Sequence, residues 1–248
     1  MTFWQYIQCG WKGLTDLFYP HCCWHCGQKL DDDTVYLCPD CEAHLPRTEM
    51  AHMRDNKVEL LFWDIQKFVR GGAFCFYGRD ECFRSLIRRL KYSSSPEIGI
   101  YLGCLAAREF MEKGFFLDID IIVPVPLHPK RERKRGYNQA EMIARGLSAV
   151  TGIPVDTMHL CRTKNNATQT RKQLQERADN TQGIFSLCHP ENWRNKHILL
   201  VDDVITTGST LRSCMKVLTP VRGTRISVFA LGFSSSSPLS SRRNTLPE

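Results

Sequence analysis

The sequence predicts an α/β protein: a parallel sheet flanked by helices, with a small cysteine-rich module ahead of it. Three observations carry that expectation. Apolar runs without polar interruption, Ile121 to Val125 and Ile198 to Val201, suit strands buried on both faces. Stretches of helical periodicity separate such runs, and alternating strands and helices build parallel sheets with ligands at the carboxyl edge. Two Cys-x-x-Cys pairs, Cys23/Cys26 and Cys38/Cys41, precede these runs.

A chain of 248 residues allows one or two domains and a substantial core. No run approaches the roughly 20 apolar residues of a membrane span, and the N-terminus lacks an apolar core with a cleavage site, so a cytoplasmic protein without membrane insertion is expected. Five of the 12 cysteines, Cys22, Cys23, Cys26, Cys38 and Cys41, fall in one short stretch. In a reducing compartment such clustering points to metal and not to disulfides. The net charge of +7 is unevenly divided: residues 1–50 carry 3 Lys/Arg against 7 Asp/Glu, and the remainder 30 against 19. A phosphate-rich metabolite and a nucleic acid backbone both match the basic part, and charge alone does not separate them.

In chain order, Trp4, Ile7, Trp11, Leu14 and Phe18 form one stripe of an amphipathic helix; with Lys12 as its only cation, packing on its own protein is favoured over a membrane surface. The two Cys-x-x-Cys pairs each supply two corners of a tetrahedron, as a structural zinc site with four thiolates requires, and Gly27 suits the turn of a zinc knuckle. Cys22 and His25 are competing ligands, with Cys22 disfavoured because Cys23 matches the spacing of the second pair. Four thiolates leave no open position, so the site stabilises and does not catalyse. Residues 1–50 make up this first unit and 51–71 a connector with one apolar patch, Leu60 to Trp63. The core domain spans 72–233, and a serine-rich tail, 234–248, is expected to be disordered.

Within the core domain, Ala73 to Tyr77 reads as a strand, Asp80 to Leu90 as a helix, and Lys91 to Pro96 as a polar turn before a helix over about 98–113. Asp120 to Pro126 is a strand stopped by its prolines. The most basic stretch, Lys130 to Arg135, leaves its carboxyl end, and a helix resumes near Asn138. Arg162 to Gln182 reads as a long polar loop, and Arg225 to Leu231 as the last strand.

The chemistry concentrates after Val201. Asp202 and Asp203 stand at the strand end, and Thr206-Thr207-Gly208-Ser209-Thr210 leads into a helix marked by Leu211, Met215 and Leu218. Free N–H groups, hydroxyls and a glycine at a helix N-terminus favour a phosphate. The carboxylates would repel that phosphate, so they suit ribose hydroxyls on the same ligand. This stretch resembles the phosphoribosyl pyrophosphate (PRPP) motif of type I phosphoribosyltransferases.

Three further stretches sharpen the resemblance: the paired Cys-x-x-Cys module, Pro124 through Glu141, and Thr168-Gln169 followed by Arg177 and Asn180. Together they are similar to the competence protein F (ComF) family over roughly residues 18 to 232. The resemblance implies a parallel sheet of the type I phosphoribosyltransferase kind behind a zinc ribbon, and a role in DNA uptake during natural transformation. It assigns Asp202 and Asp203 to the ribose hydroxyls, and Thr206, Thr207, Gly208, Ser209 and Thr210 to the 5-phosphate. Lys91 falls in the pyrophosphate loop, and Arg131, Arg133, Lys134 and Arg135 in a mobile catalytic loop. Mg²⁺ is expected to accompany PRPP. Single-stranded DNA is an expected partner, since Arg133, Lys134 and Arg135 stand beside the ring of Tyr137, and so is a competence helicase. The alternative is an active phosphoribosyltransferase acting on an unidentified base or amine.

Overall fold

The computed structural model describes residues 22–31, 36–78, 80–93, 95–162 and 183–234. The amphipathic stretch at 3–18, residues 163–182 with Thr168, Gln169, Arg177 and Asn180, and the tail from 235 lie outside these residues. The strands are β1 (Phe68–Tyr77), β2 (Ile121–Pro124), β3 (Leu160–Arg162), β4 (Phe185–Leu187), β5 (His197–Ile205) and β6 (Arg225–Ser234). The helices are α1 (Pro39–Ala43), α2 (Glu81–Tyr92), α3 (Pro96–Glu112), α4 (Pro129–Arg135), α5 (Gln139–Thr151) and α6 (Ser209–Leu218).

Four strands form a parallel sheet in the order β1-β6-β5-β2, and β3 pairs antiparallel with β4 as a separate ribbon. The expected α/β architecture is therefore present. The uninterrupted apolar run of β5 has its reason in the two layers around it. Leu199 and Val201 face a cluster with Phe83, Leu86 and Ile143 of α2 and α5, whereas Ile198 and Leu200 face Leu211, Cys214 and Met215 of α6. With helices on both faces, the run Ile198 to Val201 is buried on either side and leaves no position for a polar residue. Helices α3 and α5 cross where Gly103 meets Gly146; a Cβ on Gly146 would stand 2.2 Å from the Ile100 carbonyl oxygen, so only glycine permits this approach.

The structure departs from the sequence reading in three places. Strand β1 begins at Phe68 and not at Ala73, because its start carries an irregular register between Phe68 and Gly71 that the Gly71-Gly72 pair hides in sequence. The segment expected as a connector is packed into the core: Val58 and Phe62 are fully buried, and the Asn56 side chain donates to the Gly71 carbonyl at 2.8 Å. The basic stretch, expected as a loop, forms the short helix α4. The Nδ1 of His128 accepts from the Lys130 N–H at its start, and Gly136 closes it in the left-handed region.

The cysteine module joins the same core. Leu30, Leu37 and Leu45 share a cluster with Phe83 and Leu86, and the Tyr101 hydroxyl donates to Glu42 at 2.7 Å. Residues 46–48 run along the outer edge of β1, with Thr48 N–H donating to the Phe74 carbonyl and Phe76 N–H to that of Pro46. Pairing there covers an otherwise open sheet edge.

Candidate functional site

A cleft opens at the carboxyl end of the sheet because neighbouring strands stop at different heights. Strand β2 pairs with β5 only as far as Pro124↔Val201, whereas β5 stays paired with β6 through Ile205↔Phe233. Val125 still donates to the Val201 carbonyl, and Pro126 then has no N–H to continue the ladder. The Asn138 side chain fixes this end, donating to the Val125 carbonyl at 3.1 Å while its oxygen caps α5.

Asp202 and Asp203 occupy the stretch of β5 that β2 leaves uncovered. The Nζ of Lys91, at the end of α2, lies 3.2 Å from Asp203 Oδ2, so a residue assigned from a distant turn does reach the acid pair. Burial and the adjacent Asp203 charge push the Asp202 carboxyl up, to about 7; the Asp203 N–H, Lys91 and Arg162 oppose this without cancelling it. An acid pair in this state gains from any ligand that brings hydroxyl donors or a cation to it.

The hydroxyl turn follows directly. Thr206, Thr207 and Ser209 are exposed, and Thr210 is half-buried in the first turn of α6. Gly208 caps that helix at φ 72°, where a Cβ would meet the Phe62 ring at 2.8 Å. Phe62 thus supports the turn from below, which is why its patch is buried. Arg212 fastens the same contact, pairing with Asp64 at 2.7 Å and donating to the Leu61 carbonyl. Sequence reasoning missed Phe62 as part of the site, although an apolar patch inside a supposed connector was a signal.

Of the four basic residues singled out, three converge. Arg131, Lys134 and Arg135 line a cavity of about 300 Å³ together with Lys91 and Tyr92. Arg133 does not line it; its Nε donates back to the Pro129 carbonyl at 3.4 Å. The expected stacking ring, Tyr137, is half-buried and donates its hydroxyl to the Leu90 carbonyl at 2.6 Å. The exposed ring is Tyr92, 73% accessible, with the Arg135 guanidinium 5.6 Å from its centroid.

The four cysteines come together as their spacing predicts. Their sulfurs lie within 4.8 Å of one another, with Cys26 and Cys38 Sγ 3.7 Å apart. Thiolates held tetrahedrally about 2.3 Å from a zinc ion are separated by about 3.8 Å, so the donor set fits such a metal. Cys22 and His25 are outside the cluster. Burial opposes ionisation of Cys23, yet hydrogen bonds from the backbone of Cys26, Cys38 and His25 pull its thiol down to about 6. Burial and the neighbouring thiols push Cys41 up.

Comparison with known proteins follows the same lines. Residues 104–242 match the family model described as "Phosphoribosyl transferase domain". The chain is 30% identical to competence protein F of Haemophilus influenzae over 86% of its own length and 84% of that protein. It is 26% identical to competence protein ComFC of Bacillus subtilis, over 79% of this chain and 77% of that one. With the DNA utilization protein YhgH of Escherichia coli K12 it shares 35% identity, over 54% of this chain and 59% of that protein. Among the described residues, no helix is long and apolar enough to cross a membrane.

Proposed function

Since the chain belongs to the competence protein F family, with a phosphoribosyl transferase domain at its core, we propose that it binds PRPP as part of DNA uptake in natural transformation. The observation that carries this is the juxtaposition, along one strand end, of the acid pair and the Gly208 turn beside a cation-lined cavity. Asp202 and Asp203 take the ribose hydroxyls, and Thr206, Thr207, Ser209 and Thr210 with the backbone at Gly208 take the 5-phosphate. Lys91, Arg131, Lys134 and Arg135 take the pyrophosphate, with Mg²⁺ arriving on the ligand. Zinc on Cys23, Cys26, Cys38 and Cys41 holds the N-terminal module against the core. A cytoplasmic location and a competence helicase partner belong to the same reading.

Single-stranded DNA is the macromolecular partner that fits the surface best: Tyr92 offers an exposed ring flanked by Arg135 and Lys134. The competing reading, a turning-over phosphoribosyltransferase, draws support from the cationic cavity, since charge stabilisation of departing pyrophosphate supplies much of such a reaction's rate. One experiment divides the two. The protein is incubated with PRPP, Mg²⁺ and a panel of bases and amines, and pyrophosphate is measured; sustained turnover selects the enzyme. Silence, together with salt-sensitive binding to single strands that Tyr92→Ala weakens, selects the binding protein.

A further inference from the structure

Helix α3 carries two stripes, and the core uses only one of them. Ile98, Leu102, Ala106 and Phe110 are buried in the cluster that includes Ile143 of α5 and Phe229 of β6. On another face Ile100, Tyr101, Cys104 and Leu105, bounded by Glu97 and Arg108, line a groove of about 820 Å³. Its far wall is the cysteine module, through Tyr36, Pro39 and Ala43. Ile100 is 37% exposed, Pro39 and Ala43 are exposed, and Tyr101, Cys104 and Leu105 are half-buried. Glu97, Tyr101, Cys104 and Arg108 follow one another at intervals of four, three and four, the spacing at which one helix packs along another.

The amino-terminal segment has the matching pattern. Trp4, Ile7, Trp11, Leu14 and Phe18 follow at intervals of three, four, three and four. As a helix this stripe would span about 21 Å, against about 25 Å for the 17 residues of α3. The described chain begins at Cys22, close to the groove. Two residues on, Trp24 donates its N–H to the Tyr36 carbonyl at 2.9 Å; the two rings lie 4.9 Å apart, and Tyr36 lies 5.1 Å from Tyr101. Residues 19–21, extended, reach about 10 Å, enough to bring Phe18 to the Tyr101 end. Followed back from Phe18, the stripe then runs toward Arg108, antiparallel to α3, with Leu14 and Trp11 passing Cys104. A tether this short gives the segment an effective concentration on the order of millimolar at the groove, which favours it over a second copy in dilute solution.

We propose that residues 3–18 dock as a helix in the groove between α3 and the cysteine module, covering Ile100 to Leu105 and tying the module to the core. The half-buried thiol of Cys104 reports whether the groove is filled. The full chain is treated with iodoacetamide, and peptide mass spectrometry follows the labelling of each cysteine over time. Ile7→Asp/Leu14→Asp, which spoils the stripe, should raise the Cys104 rate about tenfold over wild type, while Cys75, fully buried in β1, stays unlabelled in both. Ile100→Asp, which spoils the groove from its own side, should raise it similarly. Should the double variant label Cys75 as well, its fold is lost and Ile100→Asp decides alone. The assignment is overturned if Cys104 reacts as fast in wild type as in the folded variants, which would leave the groove open to a separate partner. It is equally overturned if protection falls on dilution while light scattering shows a doubled mass, which would give the groove to a second copy.

Discussion

The strand-to-helix turn at 202–210 and the basic helix at 129–135 border one cleft, and they are held by different means. The turn is built on β5, whose Ile198 to Val201 are fully buried, and it rests on Phe62 with Arg212 tied to Asp64. Helix α4 buries no residue of its own and is secured at its ends, by His128 at one and by Gly136 and the cap of Asn138 at the other. Anchoring of the first kind preforms a binding geometry. Anchoring of the second kind leaves a cationic element free to move over a bound ligand, as closing elements in enzymes do. On the proposed reading, the first kind recognises the sugar phosphate and the second covers it once bound.

The largest test of that contrast is Phe62→Ala. If Phe62 is the floor of the turn, its removal should cost about 4 kcal/mol of stability in urea denaturation, and a loss near zero would return residues 58–62 to the status of a connector. Next comes Arg131→Gln combined with Lys134→Gln. PRPP affinity should fall about thirtyfold through lost charge-assisted contacts, with ribose 5-phosphate affinity and melting temperature nearly unchanged; a matching fall for both ligands would place α4 within the sugar-phosphate clamp.

A smaller effect follows from Asp202. Its folded-state carboxyl binds a proton more tightly than the unfolded chain's, so this group's contribution to stability declines as pH rises from the unfolded value of about 4 toward about 7. Ligand binding uses the ionised form, so PRPP affinity should climb about tenfold between pH 6 and 8. Asp203→Asn, by removing the neighbouring charge, should move that rise to lower pH; a rise that stays put would assign it to another group. Smallest of all is Arg133→Gln, expected within about 0.5 kcal/mol of wild type in stability and PRPP binding, since its guanidinium turns back on Pro129.

What could be read from the sequence was whatever leaves a local mark. A strand buried on both faces leaves an apolar run at 198–201, the turn into α6 leaves hydroxyls around Gly208, and the cysteine cluster leaves two paired spacings. The rest depends on partners distant in the chain. Phe62 belongs to the site only because Gly208 lies above it, and a single turn of 3-10 helix at Glu59–Leu61 has no periodicity to betray it. Helix α4 has no apolar stripe, and none of its residues is buried.

The central claim is that Asp202 and Asp203 grip the ribose of PRPP. Calorimetric titration of PRPP with Mg²⁺ into wild type and into Asp202→Asn/Asp203→Asn tests it directly. The account predicts saturable binding to wild type and a loss of about a hundredfold or more in the double variant, the worth of two hydrogen bonds to charged groups. Equal affinities for the two proteins would contradict it.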